Sequence, residues 1–174
     1  MSNRDIDVIT IRGAPGTGKT RTAKCLAMHF PRGVRMEIDN LRSMVISVEW
    51  TNQKEHINIL SLSMNLVLDF LRLGYRPVVV VDTFSGDKLD KYLTDLRRLD
   101  ERLVVRSFAL VTDAEELKKR LENRPPGEFR DFEISHRLNS HVTNHPYSAE
   151  VVIDTTGLEP EETVQKLLQT LDSR

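Results

Sequence analysis

The sequence predicts an α/β fold with a five-stranded parallel sheet. Strand-like and helix-like segments alternate along the whole chain, and a glycine-rich loop lies between the first strand and the first helix. Four consecutive valines at 78–81 show no polar alternation, which is typical of a strand buried on both faces. Alternating strands and helices build parallel sheets because each helix carries the chain back to the same edge. The 174 residues fit one domain with its own core.

The first half of the chain contains three predicted strands and three predicted helices. β-Branched residues predict the strands, and Pro31 stops the first helix. Thr51 is a candidate N-cap for a long helix, and Gly74 follows its end, where a C′ glycine is expected. Its apolar residues recur every three or four positions, which is a helical period. The strands are predicted at 6–12, 34–39 and 78–82, and the helices at 20–30, 40–48 and 51–74.

The second half of the chain continues the alternation with two strands and four helices. The segment 112–115 is a capping-box pattern that opens a helix, and the prolines at 125–126 break that helix. The last strand is short and leads into a final helix. The strands are predicted at 103–111 and 150–154, and the helices at 88–99, 112–123, 132–142 and 160–171.

The composition is that of an ordinary globular protein. Lys and Arg number 25 against 26 Asp and Glu, a balance that argues against a chain coated by nucleic acid but leaves a local basic groove open. Cys25 is the single cysteine, so no internal disulfide forms and a reducing compartment is indicated. No apolar run approaches the roughly 20 residues of a membrane span, and the polar amino-terminal residues do not resemble a signal peptide. We therefore expect a cytoplasmic protein, and the oligomeric state stays open.

The most specific motif is a phosphate-binding loop. It matches GxxxxGK[ST] and lies between a predicted strand and a predicted helix, which is the context this motif requires. Glycines let the backbone turn several N–H groups toward one phosphate, and the helix N-terminus adds positive potential. The lysine reaches the β- and γ-phosphates, and the threonine hydroxyl is a ligand for Mg²⁺. We predict an ATP and Mg²⁺ site at Gly13, Ala14, Pro15, Gly16, Thr17, Gly18, Lys19 and Thr20.

Asp82 ends the valine strand and is the second candidate for the Mg²⁺ site. A carboxylate at the end of a buried strand beside a phosphate loop commonly lies on the metal side or the substrate side. The alternative is a turn residue that caps the segment after the strand.

Three further segments give the chain a resemblance over nearly its full length. Asp39-x-x-Arg42 follows the second strand, Arg120 and Arg124 lie four apart on one helix face, and 151–157 reads VVIDTTG. With the phosphate loop, these segments resemble the small P-loop kinases of the polynucleotide 5′-hydroxyl kinase, gluconate kinase and chloramphenicol phosphotransferase kind. The resemblance implies one P-loop kinase domain, 1–174, with an adenylate-kinase-like three-layer α/β/α sandwich and a small helical lid at about 118–137.

The resemblance also assigns residues to the acceptor. Asp39 matches the carboxylate that takes the proton of the acceptor hydroxyl, and Arg42 matches an arginine that contacts a substrate phosphate. Glu37-x-Asp39 half matches the Asp-x-Asp of shikimate-kinase-like relatives. From the residues alone, Asp39 could instead cap the helix that begins at Asn40.

The remaining roles implied by the resemblance concern ATP. Arg120 and Arg124 match two lid arginines that close over the ATP phosphates and neutralise charge in the transition state. Thr156 and Gly157 match the turn that packs beside adenine. From the residues alone, the two arginines could equally belong to a solvated helix face, because charged side chains surround them.

These observations predict an ATP-dependent phosphotransferase that acts on an acceptor hydroxyl, with the 5′-hydroxyl end of a polynucleotide as the first candidate. A small molecule such as a sugar acid, a nucleoside or an antibiotic is the alternative acceptor. A regulatory ATPase that signals to a partner is the rival from another class. Whether GTP can replace ATP is open.

Two other features are predicted to be structural. Trp50, the single tryptophan, is expected to close an edge of the core, with stacking on a substrate base as the alternative. His141 and His145 lie four apart, but no third ligand completes a metal site in the sequence, so we expect surface or capping roles.

Overall fold

A single parallel sheet is the centre of the fold. The computed structural model describes residues 6–147 and 150–172. The five strands are β1 (Val8–Arg12), β2 (Val34–Glu37), β3 (Val78–Val81), β4 (Val105–Val111) and β5 (Glu150–Asp154). They pair in the order β2-β3-β1-β4-β5, and every pairing is parallel. The predicted fold class is confirmed.

The helices follow the predicted order. They are α1 (Lys19–Met28), α2 (Ile38–Ser43), α3 (Gln53–Arg72), α4 (Lys88–Leu99), α5 (Ala114–Glu122), α6 (Phe132–Asn144) and α7 (Pro160–Asp172). No helix among the described residues is long and apolar enough to cross a membrane.

Several boundaries differ from the prediction. The helix predicted at 40–48 is α2, which spans Ile38–Ser43. β2 ends at Glu37, so Asp39 lies in the first turn of α2 and not at the end of a strand. The predicted Thr51 cap is wrong, because Asn52 caps α3 by accepting a hydrogen bond from the backbone N–H of Glu55 at 3.1 Å. The cap of α5 is Asp113. Both helices are capped one residue later than predicted. In each, the side chain that accepts a hydrogen bond from a first-turn backbone N–H belongs to the residue after the predicted cap.

The two faces of the sheet are covered by different helices. Side chains of β1 alternate between the faces, so Ile9 and Ile11 pack in one core with α1 and α7, whereas Val8 packs in the other with α3 and α4. All four residues of β3 are buried, as predicted from the valine run. Burying each such side chain stabilises the fold by roughly 1.5–3 kcal/mol. Because helices cover both faces, the sheet is the middle layer of a three-layer α/β/α arrangement.

A polar seam crosses the second face beside β1. Thr10 Oγ1 donates to Ser107 Oγ at 2.8 Å. Arg12, only 2% exposed, makes a two-point ion pair with Glu150, at 2.6 Å from Nε and 2.7 Å from Nη2. The ring of Tyr147 lies 4.3 Å from the Arg12 guanidinium. This pair anchors the residue that directly precedes the phosphate loop to the edge strand β5.

The strand order reverses at β1, which lies between β3 and β4. In open parallel sheets, ligands bind at the carboxyl ends of the strands where the order reverses, because the loops diverge there and leave a crevice. The phosphate loop leaves β1 at this edge, and β2 and β3 end beside it. The fold therefore places the candidate residues after β1, β2 and β3 in one region.

Candidate active site

The phosphate loop turns tightly between β1 and α1. A Cβ on Gly13 would lie 2.5 Å from the carbonyl oxygen of Leu110, so only glycine fits there. Gly18 caps α1 with φ at 92°, a left-handed conformation that glycine adopts at little cost. Thr17 Oγ1 and Lys19 Nζ both donate to the carbonyl oxygen of Ala14, each at 2.9 Å. The first N–H groups of α1 point out of the helix end, where an anion is favoured.

Lys19 is held in an unusual electrostatic environment. The pKa of Lys19 is lowered from its ordinary value of 10.5 to about 8, chiefly by desolvation and to a smaller extent by Arg124. The carboxylates of Asp82 and Asp39 act in the opposite direction and raise it. Glu37 acts in the same direction as these two carboxylates, and a phosphate anion beside the ammonium group would favour its charged form.

Thr20 and Glu37 form the best-placed pair for a divalent cation. Thr20 Oγ1 donates to Glu37 Oε2 at 2.8 Å, and the other carboxylate oxygen lies 3.2 Å from Arg35 Nε. Mg²⁺ prefers hard oxygen donors and commonly uses one or two protein groups with substrate phosphates and water. A hydroxyl and a carboxylate beside the phosphate loop fit that chemistry. Within the described residues, no cluster of three or more His, Cys, Asp or Glu side chains forms a protein-only metal cage.

Protein groups already contact both carboxylate oxygens of Asp82, which the sequence favoured as a metal or substrate ligand. Its side chain is 2% exposed, with Oδ1 3.1 Å from His56 Nε2 and Oδ2 accepting from the backbone N–H of Phe84 at 2.8 Å. Phe84 is buried and has a positive φ of 45°, a strained conformation for this residue type. The carboxylate thus caps the turn after β3. Its role toward metal or substrate stays a prediction.

Asp39 opens into the crevice from the first turn of α2. Its side chain is 66% exposed. Partial desolvation raises the pKa of Asp39 above its ordinary value, as does the nearby charge of Asp82, while Lys19 and Arg42 lower it. A carboxylate that can reach solvent on one side and is shielded on the other is suited to accept a proton.

Arg42 is enclosed by the segment that follows it. It is 5% exposed, and Nη2 donates to the carbonyl oxygens of Glu49 and Trp50 at 3.3 and 3.0 Å. Nη1 lies 3.9 Å from Asp39 Oδ1. The guanidinium therefore orders 49–50 and reaches the candidate base, and its contact with a substrate phosphate stays a prediction.

Trp50 is not a core residue. It is 51% exposed, and the prediction that it closes an edge of the core is wrong. The ring is held against the Arg42 guanidinium, 4.8 Å from the ring centroid, and this contact fixes the indole without burying it.

Arg120 joins α5 to the turn after β5, beside the phosphate loop. Nε donates to Glu116 at 2.8 Å, and Nη2 donates to the carbonyl oxygen of Thr155 at 2.7 Å. The Thr155 hydroxyl accepts from Arg120 Nη1 at 3.0 Å and lies 3.2 Å from the carbonyl oxygen of Thr17. Nη1 also lies 3.9 Å from the position of a Cβ on Gly18. Arg120 is thus beside the phosphate site but bound to the β5 turn.

Arg124 is held more loosely. Nε donates to Glu128 at 2.8 Å and Nη1 to the carbonyl oxygen of Phe129 at 2.6 Å, and the side chain is 29% exposed. Its charge lowers the pKa of Lys19, so the guanidinium lies within electrostatic range of that ammonium group. Both contacts are to the loop that follows α5, and the role of Arg124 toward ATP stays a prediction.

The turn after β5 is ordered by its own side chains. Thr156 donates to Asp154 Oδ1 at 2.7 Å and accepts from the backbone N–H of Asp113 at 2.9 Å. Gly157 has φ at 67°, which favours glycine. The turn therefore adjoins the start of α5, and its contact with adenine stays a prediction.

Sequence reasoning missed three residues of this region. Glu37 was noted only as part of a half-matched motif, and neither His56 nor Thr155 was singled out. Glu37 carries a signal, since it ends a strand two residues before Asp39. His56 and Thr155 carry none, because their partners lie 26 and 35 residues away in the chain.

Comparisons with known proteins agree with this fold. The chain belongs to the AAA domain family AAA_18, whose sequence model matches residues 9–136. A comparison with curated proteins found no match. A gluconokinase from Sinorhizobium meliloti 1021 is 18% identical over 98% of this chain and 94% of its own, with a TM-score of 0.69.

Two other solved structures are similar in fold. The APS kinase of Mycobacterium tuberculosis, solved with AMPPNP and APS, is 14% identical, covers 97% of this chain and 98% of its own, and has a TM-score of 0.70. A chain of the Pnkp1/Rnl/Hen1 RNA repair complex is 20% identical over 80% of this chain and 44% of its own, with a TM-score of 0.64. The predicted resemblance to small P-loop kinases is confirmed, and the chain has their fold.

Proposed function

We propose that this chain transfers the γ-phosphate of ATP to an acceptor hydroxyl. The observation that carries the proposal is the 2.8 Å hydrogen bond from Thr20 to Glu37, because it brings the phosphate loop with Lys19 against the end of β2, where Asp39 lies in the first turn of α2. The charges of Asp39 and Arg124 also act on the pKa of the Lys19 ammonium. One site thus combines a phosphate-binding lysine, a carboxylate open to the crevice and a lid arginine. These are the groups that phosphoryl transfer requires, since catalysis depends on positioning and charge stabilisation.

Each of these residues has a separate role in the transfer. The acceptor oxygen attacks the γ-phosphorus, the bond to the ADP oxygen breaks, and Asp39 takes the hydroxyl proton. Lys19 and Arg124 neutralise charge on the transferred group, while Arg120 keeps the β5 turn against the phosphate loop. Thr20 and Glu37 would hold Mg²⁺, which supplies further charge neutralisation at the β- and γ-phosphates when bound.

The 5′-hydroxyl end of a polynucleotide is the first candidate acceptor. The spacing of Asp39 and Arg42 supports it, and so does the fold similarity to a chain of an RNA repair complex. The closed environment of Arg42, which is 5% exposed, favours a small molecule as the second candidate, because the guanidinium offers little surface to a following phosphate. Similarity in fold to a gluconokinase and an APS kinase also supports a small acceptor.

A transfer assay with labelled ATP and Mg²⁺ tests the proposal. Acceptors are a 5′-hydroxyl oligonucleotide and a panel of sugar acids, nucleosides and hydroxylated antibiotics, each with wild type and Asp39→Asn. Label that appears on an acceptor only with wild type supports the kinase and identifies the acceptor class.

Steady ATP hydrolysis that no acceptor accelerates and that Asp39→Asn leaves unchanged would contradict the proposal. That outcome would favour the regulatory ATPase. Lys19→Ala is the control for the phosphate loop, and it should lose transfer by several orders of magnitude while the fold stays intact.

A further inference from the structure

The segment between α2 and α3 exposes an unusual set of apolar side chains. It follows α2, the helix that carries Asp39, and Arg42 of that helix holds its backbone at 49–50. Ile46 is 98% exposed, while Trp50 and Ile57, which lies at the start of α3, are each about half exposed. Isolated surface apolar residues need no explanation. The Trp50 ring is different, because Arg42, which also lies beside Asp39, holds it in place.

Trp50 is held by the residue that also reaches the candidate base. Arg42 Nη1 lies 3.9 Å from Asp39 Oδ1, and the Arg42 guanidinium lies 4.8 Å from the centroid of the Trp50 ring. Nη2 donates to the carbonyl oxygen of Trp50 itself at 3.0 Å, so both the backbone and the ring of this residue are fixed.

This linkage limits the distance between the base and the ring. The carboxylate of Asp39 and the centroid of Trp50 are at most about 10 Å apart. An acceptor that donates its hydroxyl to Asp39 thus needs to extend no further than about 10 Å to reach the indole, a span that one sugar unit and an attached planar ring can cover. A nucleoside has this arrangement, because one sugar ring separates its 5′-hydroxyl from its base.

We propose that Trp50 is a stacking platform for a nucleobase attached to the acceptor hydroxyl through one sugar. The inference rests on the proposed function and specifies its acceptor. The Arg42 guanidinium supports one side of the indole, and the exposed half of the side chain is left for the base. Stacking suits this task because every base has a flat π-face and an aromatic side chain needs no hydrogen-bond code to bind it. The base belongs either to a free nucleoside or to the first nucleotide of a polynucleotide.

Trp50 also provides the measurement, since it is the only tryptophan in the chain. Its fluorescence is followed without ATP while thymidine, a 5′-hydroxyl oligothymidylate or gluconate is added. Excitation at the red edge of indole absorption keeps absorption by thymine small. We expect saturable quenching by a thymine-bearing ligand and none by gluconate. Quenching by the oligothymidylate alone assigns the base to a polynucleotide end, and quenching by both includes the free nucleoside.

Variants separate stacking from a structural role. Trp50→Leu should raise the KM of the thymine-bearing acceptor by about 5- to 100-fold with little change in kcat. Trp50→Tyr should restore most of the affinity, because it keeps an aromatic face. Ile46→Ala, a matched change at an exposed position of the same segment, should change neither constant. Thermal unfolding and ATP affinity of each variant show whether the fold is intact.

The outcomes distinguish this inference from the proposed function. An absence of saturable quenching by both thymine ligands, or equal quenching by gluconate, would overturn the platform even if phosphate transfer to a non-planar acceptor occurs. Quenching without any phosphate transfer would keep the platform and contradict the kinase. If Trp50→Leu does not fold, the wild-type titration still decides.

Discussion

Thr20 Oγ1 donates a 2.8 Å hydrogen bond to Glu37 Oε2. This contact connects the phosphate loop to the end of β2, two strands away in the sheet. Asp82, the carboxylate that sequence favoured for the metal side, instead has one oxygen near His56 and the other on the turn after β3. The structure therefore offers Glu37 as the first carboxylate that a cation bound to Thr20 would meet.

Glu37→Gln tests the proposed cation site. The amide keeps the size of the side chain and an acceptor for the Thr20 hydroxyl, but it removes the charge. We expect the Mg²⁺ concentration for half-maximal transfer to rise about 10- to 100-fold, with thermal stability nearly unchanged. Asp82→Asn is the matched variant and should shift the Mg²⁺ dependence less. A larger shift in Asp82→Asn than in Glu37→Gln would assign the metal side to Asp82.

Asp39→Asn should lower kcat by about 10²- to 10⁴-fold and leave the dissociation constant for ATP unchanged. In wild type, transfer needs the ionised carboxylate. Because desolvation and Asp82 raise the pKa of Asp39, kcat/KM should fall with decreasing pH at a point above the ordinary aspartate value. Rate profiles across acidic pH measure this limb. An equal loss of ATP affinity in Asp39→Asn would indicate a structural cap instead.

ATP binding should weaken at alkaline pH because of Lys19. The pKa of Lys19 is about 8, and a bound phosphate favours the charged form, so the pKa is higher in the complex. Affinity is then greatest below pH 8 and falls as pH rises toward the pKa of the complex, by up to about tenfold per unit. Calorimetry at several pH values measures this slope. Lys19→Arg stays charged and should show a flat profile; a slope retained in that variant would assign the titration elsewhere.

Arg120 and Arg124, the two candidate lid arginines, should respond differently to substitution. Arg124→Ala is expected to lower kcat by at least about 100-fold with a small effect on ATP affinity, because it acts on charge that develops in the transition state. Arg120→Ala removes three backbone and side-chain contacts to 155–158, so the melting temperature should fall as well. Steady-state kinetics and thermal unfolding together check this contrast. Matching losses of stability in both variants would contradict it.

Breaking the buried Arg12–Glu150 pair should strongly lower the free energy of unfolding. Arg12→Leu leaves the Glu150 carboxylate buried without its partner, so the free energy of unfolding should fall by about 3–5 kcal/mol. Replacing both residues with leucine should recover most of that loss. Denaturant unfolding of both single variants and the double variant measures the coupling. A double variant less stable than Arg12→Leu would show that the pair is not the cause.

Much of the fold and part of the site could be predicted from sequence. The valine run at 78–81 predicted a buried strand because its residues lie on both faces of the sheet. The phosphate loop was recognisable because all its functional groups are consecutive. Helix starts were less certain, since neighbouring residues such as Thr51 and Asn52 can both act as caps and only the geometry of the first turn selects one.

The sequence by itself determined the α/β class and the phosphate loop, because these depend on local spacing and on the period of apolar residues. Asp39 and Arg124 became candidates through the resemblance to small P-loop kinases. Tertiary structure decided the partners: Thr20 meets Glu37, Asp82 meets His56, and Arg42 holds Trp50 at the surface. Strand order brings together the ends of β1, β2 and β3, which are far apart in the chain. Side chains that meet there are selected by packing in three dimensions, and no local pattern records which of them touch.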